Sequence, residues 1–283
     1  MNKTDTICAV IESDSEEELQ MSDKPLKQPK KEPSEKKQPS EKKQRKKPDA
    51  SKKPEPLRKF LNPDESVFEI GVDEAGRGPL FGRVYSAAVI LPKDDSFDHF
   101  KVKDSKKFTS KKKIEEVANY IKTNALAWYV SYEDEKVIDD INILQATQRS
   151  MHTSILETKK QYSKIMKEQN RKDDYSFHLL IDGNYFNPIT VLNKKTNKLE
   201  TLPFDTVEGG DNKYTAIAAA SILAKVERDR YIEELCAENP ELIEKYGIDS
   251  NKGYGAKRHM EGIKEHGITI WHRRSFGICK NYA

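Results

Sequence analysis

Two adjacent acidic residues, Asp73 and Glu74, follow a short apolar run, and the segment Gly76-Arg77-Gly78 comes directly after them. Carboxylates are the oxygen ligands that hard divalent cations prefer. The glycines leave backbone N–H groups uncovered, so that a bulky anionic partner can approach closely. Acids, bare backbone and one arginine together indicate a divalent metal beside a phosphate. For the two acids taken alone, a solvated strand end is the simpler alternative.

Two more acids occupy similar places further along the chain. Asp182 ends an apolar run and precedes Gly183, and Asp211 follows two glycines, four residues before a helix-forming stretch. Strand ends are where the sites of α/β proteins are assembled. Converging carboxylates raise one another's pKa unless cations lie between them, and Mg²⁺ or Mn²⁺ suits an all-carboxylate site. Taken individually, Asp182 or Asp211 could equally be a turn residue or a helix cap.

Strand-like and helix-like segments alternate around these acids, which predicts an α/β fold with a mixed central sheet flanked by helices. The first two strands, separated by the glycine segment, are expected to form an antiparallel pair. A smaller helical region is expected from about residue 236 to the end. The predicted strands are Phe68–Val72, Val84–Leu91, Leu126–Tyr132 and Phe177–Asp182, and the predicted helices are Ser110–Thr123, Asn142–Glu168 and Thr215–Ala237.

Charge divides the chain into two parts. Residues 1–23 carry seven acids and one lysine, a net −6, and residues 24–59 carry fifteen Lys or Arg and five acids, a net +10. With few large apolar residues and many prolines, residues 1–60 are expected to be a disordered tail, because they bury too little to offset the entropy of ordering. The tail is expected to bind nucleic acid or an import receptor, or to be a solvated linker. Residues 61–283 are expected to form the catalytic domain.

The composition also limits where the protein works. No apolar run reaches the roughly 18 residues that a membrane span needs, and the sequence begins without the pattern of a secretory signal. The three cysteines, Cys8, Cys236 and Cys279, are too few and too scattered for a disulfide framework. We therefore expect a protein of a reducing intracellular compartment, cytoplasmic or nuclear, with no membrane partner.

The string Asp-Glu-Ala-Gly-Arg-Gly-Pro at residues 73–79 resembles the signature of ribonuclease HII, the type 2 ribonuclease H family. Further segments resemble the other motifs of that family in the same order, so the resemblance covers nearly the whole predicted folded part. These segments are residues 103–109, 141–147, 181–184, 210–225 and 252–276.

The resemblance implies the ribonuclease H-like fold and assigns Asp73, Glu74, Asp182 and Asp211 as catalytic and metal-binding acids. It implies an endoribonuclease that cuts the RNA strand of RNA–DNA hybrids and cuts 5′ to single ribonucleotides in duplex DNA. Such an enzyme removes primer RNA and misplaced ribonucleotides. Two cations would clamp the attacking and leaving oxygens, giving 5′-phosphate and 3′-hydroxyl ends. The form of the C-terminal motif favours an active monomer.

The resemblance also implies how RNA is distinguished from DNA. Gly76, Arg77 and Gly78 would read the ribose 2′-hydroxyl, and Tyr254 would stack on the following deoxyribose. Ala256 stands where the family often has threonine after Gly-Tyr-Gly, which could weaken a hydrogen bond near the junction. Six further residues are candidate phosphate-binding or supporting groups: Lys106, Lys107, Asn142, Gln145, Ser221 and Lys225.

Two other functions remain open from the sequence. A protein that binds hybrids without cutting them is one, although the presence of all four acids counts against it. A related polynucleotidyl transferase, such as a junction resolvase, is the other. The glycine segment and Tyr254 count against that, because such an enzyme has no need to read a 2′-hydroxyl. The role of the long connection from Tyr185 to Glu208 is not predicted.

Overall fold

A computed structural model describes residues 56–170, 175–193 and 197–283. The predictions for the tail up to residue 55 lie outside these residues. At the start of the described part, Leu57 packs against the core and Arg58 pairs with Tyr214, so packing begins slightly before residue 61. No helix in the described ranges is long and apolar enough to cross a membrane.

One mixed five-stranded sheet forms the centre of the fold, with strand order β3-β2-β1-β4-β7. The central strand β1 is antiparallel to β2 and parallel to β4. β2 is antiparallel to β3, and β4 is parallel to β7. The strands in chain order are β1 Val67–Ala75, β2 Val84–Ile90, β3 Ala127–Glu133, β4 Ser176–Asp182, β5 Thr190–Asn193, β6 Lys198–Thr201 and β7 Phe204–Val207.

Helices cover both faces of the sheet and form a small C-terminal unit. α1 and α3 pack on one face and α2 on the other, while α4 to α6 form a third core with the C-terminal segment. The helices are α1 Lys111–Asn124, α2 Glu135–Glu168, α3 Thr215–Glu238, α4 Glu241–Tyr246, α5 Ile248–Asn251 and α6 Lys257–His266. The predicted mixed sheet flanked by helices, with a helical C-terminal region, is confirmed.

α3 packs closely on β1, and this contact sets how far the site lies from the plane of the sheet. Ala216 to Ala220 of α3 are all buried, and a Cβ atom at Gly71 would lie only 2.2 Å from the backbone carbon of Ala216. Small residues on both elements therefore let helix and strand approach closely. Because strand side chains alternate, Gly71 and Asp73 face α3, whereas Ile70 and Val72 join the core under α2.

Two elements extend well beyond their predicted bounds, β1 and α2. β1 continues to Ala75, so Asp73 and Glu74 belong to the strand itself. α2 begins at Glu135 and is interrupted at Asn142, which has a φ of +66°. The Asn142 side chain accepts hydrogen bonds from the N–H groups of Leu144 and Gln145. Asn142 therefore caps the long helical segment that the sequence predicts, and the preceding turn of helix was not foreseen.

The long connection from Tyr185 to Glu208 contains three short strands. β5 and β6 pair as a separate two-stranded ribbon, and β7 adds an edge to the main sheet. In register with β4, β7 pairs Val207 with Asp182. The connection therefore brings the chain back beside Asp182 before it reaches Asp211.

Candidate active site

The ends of the two central strands and one turn bring four carboxylates together. Asp73 and Glu74 lie near the end of β1, and Asp182 is the last residue of β4, the parallel neighbour. Asp211 lies in a 3₁₀ turn, Gly210–Asn212, just before α3. Asp73 and Asp211 are only 5% and 2% exposed. The sequence prediction that strand ends gather the acids is therefore consistent with the structure.

Each carboxylate is held by a nearby donor. Asp73 accepts a hydrogen bond from the Glu74 N–H at 2.7 Å, and Glu74 accepts one from the Arg77 guanidinium at 3.2 Å. The Gly210 N–H donates to Asp182 at 2.6 Å. The Ser221 hydroxyl from α3 also bonds to Asp73. These contacts fix the positions of the acids, and the contact between Arg77 and Glu74 is the one ion pair among them.

Burial and mutual repulsion act together on these acids. Burial, with the charges of Glu74 and Asp182, raises the pKa of Asp73 well above its usual range. Burial also raises the pKa of Glu74, although Arg77 opposes the shift. The pKa of Asp182 is raised by burial and by the charge of Asp211. A site of this kind favours either protons or a bound cation.

Lys106 supplies the one cationic group in direct contact with the buried Asp211 among the described residues. Its ammonium lies 3.1 Å from Asp211 Oδ2. Burial opposes the charged form, but the hydrogen bond and charge of Asp211, together with Asp104 and Asp73, raise the pKa of Lys106. A lysine ammonium thus stands in a place where positive charge is favoured.

Within the described ranges, no three His, Cys, Asp or Glu side chains are already arranged so that they could hold a metal ion. The donor set nevertheless fits a hard divalent cation, because it consists of buried carboxylates whose repulsion a cation would relieve. The present hydrogen bonds of Asp73, Asp182 and Asp211 would have to rearrange for the four acids to gather around cations.

A cleft of about 520 Å³ joins the acids to the glycine segment. Asp73, Glu74 and Asp182 line one part, and Gly76, Arg77, Gly78 and Tyr254 line another. The predicted residues Lys106, Ser221 and Lys225 also line it. Residues of the lining that the sequence did not single out are Ser105, Arg228, Asp229, Ser250, Asn251 and Lys252.

The segment from Gly76 to Gly82, which we call the glycine turn, leaves β1 and enters β2. Gly76 has a φ of +94°, and a Cβ atom there would lie 2.3 Å from Nε of the buried Arg228. Only glycine fits this position without strain. A Cβ atom at Gly78 would instead lie 3.5 Å from the Tyr254 ring. Tyr254, 51% exposed, therefore stands beside the turn at the mouth of the cleft.

Three predicted substrate-binding residues do not line the cleft. Lys107 donates to the Asn212 side chain, and the Asn142 side chain caps α2. Gln145 accepts from Asn187 at 3.5 Å. Arg228 was missed because it lies in a run of alternating charged residues of α3, Glu227 to Arg230, and the sequence gives no sign of which of them turns inward. The proximity of Ser105 to Ser221, 3.0 Å between hydroxyl oxygens, likewise depends on packing between distant segments.

Comparison with known proteins decides the family. The ribonuclease HII family model matches residues 70–279. The chain belongs to the ribonuclease HII family. A ribonuclease HII from Bacteroides thetaiotaomicron is 42% identical over 224 residues, covering 78% of this chain and 94% of that protein. A ribonuclease HII from Pelagibacter ubique is 41% identical over 206 residues, covering 73% and 94%.

Solved structures show the same fold. The ribonuclease H2 from Pyrococcus horikoshii aligns with a TM-score of 0.52 and 23% identity, covering 76% of this chain and 96% of that chain. The ribonuclease HII of Archaeoglobus fulgidus, solved in a complex with PCNA, aligns with a TM-score of 0.50 and 26% identity, covering 75% and 96%. The predicted ribonuclease H-like fold is confirmed. As a ribonuclease HII, the chain is a hydrolase that acts on the RNA of RNA–DNA hybrids.

Proposed function

We propose that this ribonuclease HII cuts on the 5′ side of single ribonucleotides embedded in duplex DNA, as well as within longer RNA–DNA hybrids. The observation that carries the proposal is the shared cleft, which holds the acids beside the glycine turn and Tyr254. An enzyme with this arrangement can test the sugar at the same place where it cuts. Its cellular task would be removal of primer RNA and of misplaced ribonucleotides.

The acids would hold two divalent cations, Mg²⁺ or Mn²⁺. Asp73, Glu74, Asp182 and Asp211 are the residues that would bind them, because the first three line the cleft and the charge of Asp211 acts on Asp182. When bound, such cations activate a water molecule and stabilise the leaving 3′ oxygen. Hydrolysis would leave 5′-phosphate and 3′-hydroxyl ends.

Neutral and cationic side chains around the acids have supporting tasks. Ser221 bonds to Asp73 and to the Ser105 hydroxyl, which fixes the rotamer of the central carboxylate. Lys225 and Lys252 line the cleft and are paired with Asp229 and Glu233. Phosphates of the duplex can take the place of these carboxylate partners, because lysine binds phosphate as a point charge.

The glycine turn offers unoccupied backbone donors for a 2′-hydroxyl. Among the described residues, neither the Arg77 N–H nor the Gly78 N–H donates to a protein acceptor. A hydroxyl group is both donor and acceptor, so it can accept from these amides, whereas a deoxyribose cannot. The half-exposed Tyr254 ring beside Gly78 is placed to stack on the neighbouring sugar. We also propose an active monomer, as the form of the C-terminal motif predicts.

Incision of a labelled DNA duplex with one ribonucleotide, in Mg²⁺ or Mn²⁺, tests the proposal. An all-DNA duplex and the Asp73→Asn variant are the controls. We expect cutting 5′ to the ribonucleotide, with 3′-hydroxyl and 5′-phosphate ends, and none in either control. If the enzyme cuts a long hybrid but leaves the single ribonucleotide intact, the role given to the glycine turn and Tyr254 is wrong.

A further inference from the structure

Arg273, near the C-terminus, is the largest fully buried side chain of the described residues, and it lies behind the glycine turn. Its guanidinium donates four hydrogen bonds to backbone carbonyls of that turn. Nε donates to Gly82 at 2.8 Å, and Nη2 donates to Gly76 at 2.6 Å. Nη1 donates to Arg77 at 3.0 Å and to Pro79 at 2.9 Å.

These bonds use most of the hydrogen-bonding capacity of arginine. A guanidinium carries five N–H donors in a rigid planar fork, and here four carbonyls from a span of seven residues accept from it. No carboxylate neutralises it directly among the contacts of the described residues, since every hydrogen bond of its side chain goes to a main-chain oxygen. Burial and the nearby Arg228 lower the pKa of Arg273 to about 9, which leaves it charged at neutral pH.

The direction of the turn carbonyls fixes the direction of the turn amides. In a planar trans peptide, the N–H of each residue points opposite to the carbonyl of the residue before it. Because the Gly76 and Arg77 carbonyls point at Arg273, the Arg77 and Gly78 N–H groups point away from it. Both of these amides lack an acceptor among the described residues, and both residues line the cleft.

The backbone around Arg273 strengthens this arrangement. The Arg273 N–H donates to the Leu80 carbonyl at 2.9 Å, and the Gly82 N–H donates to Trp271 at 2.9 Å. Phe81 and His272 form an isolated antiparallel bridge. The C-terminal segment therefore lies against the turn as a short strand, and the arginine fork extends from it beneath the turn.

We infer that Arg273 is a positioning residue for ribonucleotide discrimination, acting by holding the glycine turn so that its Arg77 and Gly78 amides face the sugar. This inference rests on the proposed function of the turn. Arg273 does not line the cleft, so it acts through the backbone and touches no substrate. Lysine cannot replace it, because one ammonium cannot reach four carbonyls spread over the fork.

Binding measurements separate this role from general stabilisation. The Asp73→Asn protein, chosen because it should bind without cutting, is compared with the Asp73→Asn/Arg273→Lys protein on two duplexes in Mg²⁺, one with a single ribonucleotide and one all DNA. We expect the preference for the ribonucleotide duplex to fall by about tenfold or more, since small displacements at a site have effects of this size. All-DNA binding should stay the same.

A matched control and a milder variant complete the test. Ile155→Val removes one methylene from the core under α2, away from the turn, and should lower stability without changing the binding preference. Phe276→Leu removes the ring that lies 5.0 Å from the Arg273 guanidinium and should reduce the preference less than Arg273→Lys. If the Arg273→Lys protein does not fold, the binding preference of the Phe276→Leu protein tests the positioning role.

The possible results distinguish the inference from the function on which it rests. An unchanged preference in Arg273→Lys, or in Phe276→Leu if only that variant folds, overturns the positioning role. An equal loss of affinity for both duplexes also overturns it, because a loss of folded protein has that effect. If the parent protein shows no preference for the ribonucleotide duplex at all, the proposed function of the turn fails before Arg273 is tested.

Discussion

The two parts of the cleft are stabilised in opposite ways. On the acidic side, Asp73, Glu74 and Asp182 are buried near one another, and their pKa values are raised by burial and repulsion. On the recognition side, the carbonyls of the glycine turn are satisfied by a buried guanidinium. Charges that repel one another favour a bound cation, whereas a satisfied backbone has a fixed shape before any ligand arrives. Under the proposed function, the acidic side would need bound cations, whereas the turn would already have its recognition shape in the fold.

Tyr254 belongs to the recognition side and is fixed through a second polar chain. The Thr269 N–H donates to His272 Nδ1, and the Nε2 atoms of His272 and His259 lie 3.1 Å apart. His259 Nδ1 in turn lies 2.8 Å from the Tyr254 carbonyl oxygen. This chain requires both imidazoles to be neutral, with His272 donating to His259 and His259 donating to Tyr254. The bond holds the Tyr254 backbone, while the half-exposed ring lies at the mouth of the cleft, with the Arg228 guanidinium 5.9 Å from its centroid.

The largest expected effect comes from the acidic side. Asp73→Asn should lower cleavage by at least about 100-fold, because even residues that only support metal ligands account for 10- to 100-fold. The same change should raise the free energy of unfolding in the absence of metal, since it removes a buried, repelled charge. Asp205→Asn alters an exposed acid paired with His178 and should leave cleavage unchanged. Lower stability of Asp73→Asn without metal would contradict the account.

Lowering the pH should change the stability contributions of the two sides of the cleft in opposite directions. Burial and His259 lower the pKa of His272 to about 3 from 6.5. The unfolded state therefore binds more protons between those values, and stability is lost as the pH falls from 6.5 towards 3. The pKa of Asp73 is raised above its ordinary value of 3.8. Its contribution to the free energy of unfolding is therefore present below pH 3.8 and is lost as the pH rises through the higher pKa of the folded state.

Urea unfolding between pH 4 and 7, without metal, measures these contributions. The stability advantage of wild type over His272→Phe should shrink on acidification by up to a few kcal/mol, at about 1.4 kcal/mol for each unit of pKa difference. Relative to Asp73→Asn, by contrast, wild type should gain stability on acidification. If the stability differences of wild type from His272→Phe and from Asp73→Asn change in the same direction with pH, the two sides of the cleft are not stabilised in opposite ways.

A pair of glycine variants tests how rigid the turn is. Gly76→Ala places a methyl group at a φ of +94° and 2.3 Å from Arg228 Nε, so it should lower the free energy of unfolding by about 1–3 kcal/mol. In Gly78→Ala the methyl group meets only the Tyr254 ring, at 3.5 Å, and stability should be unchanged. Thermal unfolding of both variants checks the contrast. Equal stability of the two proteins would argue against a fixed turn.

The smallest effect is expected at the tyrosine. Tyr254→Ala should reduce cleavage at a single ribonucleotide by about tenfold, within the ~1–3 kcal/mol typical of aromatic stacking on nucleic acid. Tyr254→Phe should retain most activity, because the ring remains. Tyr185→Ala is the matched control, a tyrosine of similar exposure that does not line the cleft. If Tyr254→Ala cuts single ribonucleotides as fast as wild type, stacking has no role there.

The sequence predicts the acids and the sheet because both depend on local patterns. Asp182 ends a short, mostly apolar strand of the buried type, and Thr215–Ala237 consists largely of good helix formers, so their places follow from nearby residues. Arg273 could not be predicted, since its acceptors lie 191 to 197 residues earlier in the chain. β7 has only four residues and is recognisable only by its pairing with β4. Asn142 was predicted at a helix start, and its side chain caps the helix there.

One measurement tests the central claim most directly. Wild type, Asp73→Asn and Tyr254→Ala are compared for cleavage of a duplex with one ribonucleotide and for the ratio of affinities between that duplex and its all-DNA counterpart. The account predicts that Asp73→Asn loses cleavage but keeps the ratio, whereas Tyr254→Ala cuts slowly and has a reduced ratio. Loss of both cleavage and preference in a folded Asp73→Asn protein would show that recognition depends on the acids, contrary to the account.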